Sequence, residues 1–408
     1  EVIYAVGRLV DAAARQTGID PAELRRRNFI ARTDMPYTTI TGQTYDDGDF
    51  EGLLNRAIEV SGYGDREAFR QEARSRGKLG GVGLAYFLDR CGRGLDEYAE
   101  LRFDPSGTAT LFVGSQTNGQ GHETAYAEVA ARALGIERDA LRVVQGDTDQ
   151  VAFGRGTGGS RALAVGGNSV HLAAGKIVEK ARRIAAHLAG ADVDKVSFDG
   201  SLFRVDGSNH AISLRDCVRA AFDPRQLPEG MEPGMSASAS FTPSNPTFPN
   251  GCHVCFVEID PHTAEIELKR YVAVNDFGTI LNRKLVDGQL HGGLAQGAGQ
   301  ALLEQVVYEP GTAQLLTGSL MDYCYPKSDD FPDFELHYVE IPCRSNPLGV
   351  KGCGEAGAIA APPTIANAVM DALRDFDTSH LQMPFTSGKL FSVLSRGPLA
   401  AGKKEADA

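Results

Sequence analysis

An order of elements that occurs twice constrains this chain more than any other feature. Residues 99–114 read as a strand, the turn Asp104-Pro105-Ser106-Gly107 and a second strand. Gly119-Gln120-Gly121-His122 follows, then a helix striped with Tyr126, Val129, Ala130, Ala133 and Leu134. Residues 254–274 repeat strand, turn (Pro261-His262-Thr263-Ala264) and strand. Gly288-Gln289-Leu290-His291 then precedes a helix carrying Leu294, Ala298, Ala301 and Leu302. The linking spans differ in length, so these are distant internal repeats, expected to face each other across one site.

Other segments surround the repeats. Residues 1–30 read as two short helices, the first striped with Val2, Ala5, Val6, Leu9 and Val10, the second opened by Asp20-Pro21. Residues 50–60 and 169–188 have helical period, and 80–87 reads as a strand. Residues 222–250, rich in Pro, Ser, Gly and Met, read as a surface segment or linker, and the tail from Gly397 as frayed. Short strands and helices mix without a strict βαβ alternation. The expected fold is α+β, with mixed short sheets and helices divided at 1–78, 79–250 and 251–408.

Composition excludes several classes. A net charge of -12 argues against a nucleic-acid footprint, which would be basic. No apolar run reaches the length of a membrane span, and no secretory pattern is visible. The 7 cysteines, odd in number and scattered, indicate reduced thiols in a cytoplasmic protein. Cys252 and Cys255 form a CxxC without a second pair at zinc spacing, and Val254, Phe256, Val257 and Ile259 continue a strand through it.

Four glycine-rich segments could hold a ligand. Residues 119–124 join a strand to a helix start, where free N–H groups suit an anion such as a phosphate; a simple turn with a polar cap is the alternative. Residues 154–161 combine Thr157, Ser160 and Arg161 with glycines, as a pyrophosphate cradle would. A nucleotide enzyme using that loop stays open, although no βαβ frame surrounds it. Gly292, Gly293, Gly297 and Gly299 interrupt a helical pattern beside Gln289 and Gln296, pointing to close approach of a ligand or of a second helix. Residues 349–357 hold one carboxylate, Glu355, before Pro362-Pro363, which is expected to start a helix. In a dry pocket such a carboxylate suits a general base; a solvated loop Glu is the alternative.

In this order the four segments resemble the molybdenum-binding large subunits of the xanthine oxidase family, which includes xanthine dehydrogenases, aldehyde oxidoreductases and carbon monoxide dehydrogenases. The resemblance runs from Ala5 to about Ser395 and rests on Gly119-Gln120-Gly121-His122, Gly288-Gln289, Gln296-Gly297-Ala298-Gly299 and Lys351-Gly352-Cys353-Gly354-Glu355. It implies two pseudo-repeated molybdopterin-binding subdomains. It implies molybdopterin with Mo, in the cytosine dinucleotide form, bound without protein metal ligands. Gln120, Gly121 and His122 would contact the pterin and its phosphates. Thr157, Ser160 and Arg161 would hold the dinucleotide end, Gln289 and Gln296 would line the cofactor, and Glu355 would be the catalytic base.

The implied activity is oxidative hydroxylation of an aldehyde, N-heterocycle or similar small substrate, with water as oxygen source. The implied partners are an N-terminal part of the large subunit, an iron–sulfur subunit and an FAD subunit, in a complex expected to be dimeric. The family's other Gln-bearing loop and its substrate-side loop are expected upstream of Glu1, so the chain alone is expected to be inactive. A cofactor-free remnant or binding module that keeps the fold is the alternative.

Overall fold

The computed structural model describes residues 2–92 and 95–399. Both predicted hairpins are present. Glu97–Phe103 pairs antiparallel with Ala109–Val113, and Asn250–Ile259 with Ile266–Asp276. Each turn is fixed by an aspartate that accepts a backbone N–H two residues on: Asp104 from Ser106 and Asp260 from His262, both at 2.7 Å.

After each hairpin comes a helix, His122–Leu134 or Arg283–Leu302. A third strand then runs parallel to the hairpin's second one, Leu141–Gln145 in the first unit and Phe334–Val339 in the second. A glycine-rich loop and a second helix close each unit, Asn168–Ala189 or Ala356–Ala372. The repeat is therefore structural.

The fourth strand of each sheet is exchanged between units. Leu79–Leu88 precedes the first hairpin in sequence but pairs along its length with Asn250–Ile259. Met235–Phe241 precedes the second hairpin but pairs with Glu97–Phe103. The pairing of Leu79–Leu88 ties residues 79–250 to 251–408, and the segment 222–250, expected as a surface segment or linker, holds the strand Met235–Phe241.

Helix Asn168–Ala189 keeps Val170, Ala174, Ile177, Ala181 and Ile184 on one stripe, and packs them with Leu101 and Leu111 of the first sheet and Tyr126 of helix His122–Leu134. The second sheet is covered on both faces, as its central strand requires, since all of Asn250–Ile259 is buried. Cys252, Val254 and Phe256 meet Leu53, Leu54 and Ala57, while Cys255, Val257 and Ile259 meet Ile365 and Val369. This period-2 alternation sends Cys252 and Cys255 to opposite faces.

Helix Ala356–Ala372 lies directly on strand Leu79–Leu88. A Cβ at Gly83 would stand 2.2 Å from both Ala368 N and Thr364 O. The helix also occupies the outer edge of that strand: Val82 N–H donates to Asp371 Oδ2 at 2.8 Å, and Asn367 Nδ2 donates to Leu84 O at 3.0 Å.

Three further expectations change. Pro362 and Pro363 lie inside the helix rather than at its start, because the helix begins at Ala356, immediately after Glu355. Gly288-Gln289 lies within helix Arg283–Leu302, which starts early because Asn282 Oδ1 caps Leu285 N–H at 3.1 Å. In helix Val2–Thr17, Val2, Val6 and Leu9 face outward, and the buried line is Gly7, Asp11 and Ala14. Among the described residues, no helix is long and apolar enough to cross a membrane.

Candidate active site

Hydrogen bonds and close contacts join the four glycine-rich segments into one ring. Thr157 Oγ1 donates to Gln116 O at 2.6 Å, tying residues 154–161 to the loop that leads into Gln120. A Cβ on Gly121 would meet Leu285 of helix Arg283–Leu302 at 2.7 Å. From that helix Gln289 Nε2 donates to Gly354 O at 2.9 Å. Ser160 Oγ closes the ring by donating to Glu355 Oε2 at 2.9 Å.

Each segment is held from behind. Lys351 and Asp276 form an ion pair at 2.5 Å with both side chains fully buried. Asp276 also accepts the N–H groups of Gly278 and Ile341, so loop 349–357 is anchored to the end of strand Ile266–Asp276. Arg161 is buried against Glu97 at 2.7 Å, and its guanidinium further donates to Gly156 O, Leu95 O and Asp96 O. Most of its hydrogen-bonding capacity is thus spent inside the protein, where it shapes the 154–161 loop.

The start of helix His122–Leu134 leaves backbone donors free. Gly119 and Gly121 have φ of 102° and 79°, the left-handed region that a residue with a Cβ enters only with strain. Gly121, at the N-cap, makes no side-chain capping bond, so the first-turn N–H groups have no partner within the helix. Gln120 folds over this loop, its Oε1 accepting from Thr117 Oγ1 at 3.1 Å. His122 is buried, and neither ring nitrogen makes a hydrogen bond of normal geometry among the described residues. Burial holds its pKa below the usual imidazole value, so the ring is neutral at physiological pH. An unsatisfied, neutral imidazole beside a helix start calls for a polar ligand.

Helix Arg283–Leu302 has two different glycine sides. Gly293 and Gly297 press on Ala356–Ala372, where added Cβ atoms would meet Ala358 and Ala361. Gly288 and Gly292 have open space in front of them, on the stretch that carries half-buried Gln289 and exposed Gln296. Close helix packing accounts for the first pair, and an open lining surface remains for the second.

Glu355 sits at the N-cap of Ala356–Ala372 and is exposed in this chain, so the dry pocket expected around it is not found within these residues. Among the described residues, no group of three or more His, Cys, Asp or Glu side chains is placed to hold a metal ion. The ring therefore offers donors for a phosphorylated, polar organic group and one carboxylate for proton transfer. That donor set fits a molybdopterin cofactor, whose metal would be held by the pterin. Sequence reasoning missed Glu97, Asp276 and Gln116. Asp276 had a visible signal, a charge ending an apolar strand; the other two had none.

Known proteins share the sequence family and fold of this chain. The molybdopterin cofactor-binding domain family matches residues 56–332. The carbon monoxide dehydrogenase large chain of Hydrogenophaga pseudoflava is 35% identical over 98% of this chain and 51% of its own length. The solved carbon monoxide dehydrogenase of Oligotropha carboxidovorans superimposes with a TM-score of 0.91 at 32% identity, covering 97% of this chain and 51% of that one. Quinoline 2-oxidoreductase from Pseudomonas putida 86 gives a TM-score of 0.90 at 33% identity, with coverage of 97% and 52%. The chain thus spans about half the length of these relatives. The chain belongs to the xanthine oxidase family of molybdenum-binding large subunits, within its molybdopterin cofactor-binding domain.

Proposed function

We propose that this chain serves a molybdenum hydroxylase that oxidatively hydroxylates an aldehyde, N-heterocycle or similar small substrate, with water as oxygen source. The observation that carries this reading is the closed ring of four glycine-rich segments, with Glu355 at its junction. The cofactor is molybdopterin with Mo, in its cytosine dinucleotide form. Gln120, Gly121 and His122 hold its anionic part at the helix start, where the helix dipole favours negative charge. Thr157, Ser160 and Arg161 shape the loop that takes the dinucleotide end, and Gln289 and Gln296 line the open helix side. When bound, this group supplies the redox step by accepting two electrons from the substrate carbon.

Glu355 supplies the acid–base step. Its carboxylate takes a proton from the water-derived oxygen as that oxygen attacks the electron-poor carbon. Lys351 and Gln289 keep the loop in place while it does so. The electrons leave to iron–sulfur and FAD subunits, and an N-terminal part of the large subunit completes the site within a dimeric cytoplasmic complex. The carbon monoxide dehydrogenase of Hydrogenophaga pseudoflava to which this chain is similar is a large chain, which supports this assembly.

The test is Glu355→Gln in the complete enzyme. The expected result is full Mo and pterin content with turnover reduced about a hundred- to ten-thousand-fold. Turnover within about tenfold of the parent at equal Mo content would leave Glu355 without this role.

A further inference from the structure

Ser160 falls, by resemblance, to the dinucleotide end of the cofactor, yet its hydroxyl is turned to the carboxylate across the ring. We propose that Ser160 is a positioning residue for Glu355, donating to one carboxylate oxygen and leaving the other to take the proton. This rests on the reading of Glu355 as the base.

Three features of the structure are arranged around that hydrogen bond. The first is backbone strain. Ser160 has φ of 51°, one of three non-glycine residues with positive φ among those described, the others being Ala264 and Ala313. Such conformations persist where the surroundings impose them. The second is the opposing loop, which is shaped to admit this serine. A Cβ on Gly352 would stand 2.4 Å from Ser160 O and 2.8 Å from Ser160 Cβ, and one on Gly354 would stand 3.0 Å from Ser160 Oγ. The two glycines of Gly352-Cys353-Gly354 are thus spaces that Ser160 fills. The third is immobilisation on both sides. Gly159 O accepts Gly92 N–H at 3.0 Å, Arg161 is locked to Glu97, and Gln289 holds Gly354 O.

The consequence for Glu355 is geometric. An exposed glutamate has several free torsions, and a fixed donor removes most of that freedom before substrate arrives. Two other side chains near the ring, Cys91 and Lys351, already have acceptors of their own. The Cys91 S–H goes to Asp89 Oδ2 at 3.1 Å. Lys351 is taken by Asp276.

The experiment compares Ser160→Ala and Ser160→Gly in the complete enzyme. Both lose the hydroxyl, and only glycine relieves the positive φ. Expected for both, per bound Mo, is a kcat lowered roughly threefold to tenfold with KM unchanged. A second readout needs no turnover. The infrared carboxylate bands of Glu355, isolated in glutamate-labelled enzyme with Glu355→Gln as the blank, should shift in Ser160→Ala as the hydrogen bond is lost. Recovery of kcat by glycine would make the role one of backbone shape, and overturn the proposal. A kcat per bound Mo equal to the parent's, with only Mo content lowered, would leave Ser160 to the cofactor, with the same result. If Glu355→Gln is inactive but neither serine variant lowers kcat per bound Mo or shifts the bands, positioning fails and the base assignment stands. If Glu355→Gln retains turnover, both fall.

Discussion

His253 shows how much a single residue can reveal that its sequence context conceals. It has no solvent exposure and lies between Tyr271 Oη and Asn275 Oδ1, each at 3.0 Å. Burial pushes its pKa down to about 4, with the Asn275 contact acting in the opposite sense. In the unfolded chain the imidazole titrates near 6.5. Between these values the unfolded state binds a proton that the folded state refuses, so stability rises with pH across the window and is lost as pH falls from about 6.5 towards 4. The full contribution is about 3 kcal/mol. Urea unfolding of wild type and His253→Gln at a series of pH values should show the steeper acid loss in wild type. Equal slopes would mean that His253 is not excluded from protonation by the fold. In the sequence this histidine is one polar letter in an apolar run. Glu355 stands out in the sequence as a lone carboxylate among glycines, and the structure puts it, exposed, at the junction of the ring. The Arg161–Glu97 pair joins residues 64 apart and carries no local pattern at all.

Among elements, two glycine substitutions should act in opposite directions. Gly83→Ala places a methyl against backbone atoms of helix Ala356–Ala372, which cannot swing aside as a side chain could. It should lower stability by about 3 kcal/mol, the upper end of ordinary overpacking. Gly175→Ala, exposed inside helix Asn168–Ala189 with nothing near its Cβ, should raise stability by about 1 kcal/mol. Denaturant midpoints of the two variants check both signs, and a neutral Gly83→Ala would contradict the close seating of helix on strand. Elements that bury one regular stripe were legible, such as helix Asn168–Ala189 and both hairpins. Met235–Phe241 was not, because its alternation of Ser with Ala carries too little apolar surface to read as a strand. Its partner Glu97–Phe103 makes it one. The start of helix Ala356–Ala372 was misplaced for a related reason: Pro362 is a start signal only when nothing upstream has already begun the helix.

For the whole molecule the exchange of edge strands is decisive. Periodicity identifies strands but says nothing about which distant strand completes a sheet, so the repeat was legible and its interlocking was not. Cutting the chain between Phe241 and Asn250 leaves Leu79–Leu88 in one fragment and its partner Asn250–Ile259 in the other. The C-terminal fragment alone, lacking that strand, should not unfold cooperatively, whereas the two refolded together should co-elute and regain the missing transition. A cooperative transition in the C-terminal fragment by itself would show that Leu79–Leu88 is dispensable to its sheet. The same exchange imposes a schedule on biosynthesis. Leu79–Leu88 emerges from the ribosome well before Asn250–Ile259, and the helix that covers its outer edge comes later still. At ~5–20 residues per second the strand waits on the order of ten seconds or more with its hydrogen-bonding edge bare. Over that interval the nascent chain carries a glycine-rich strand without its pairing partner, an edge open to other chains.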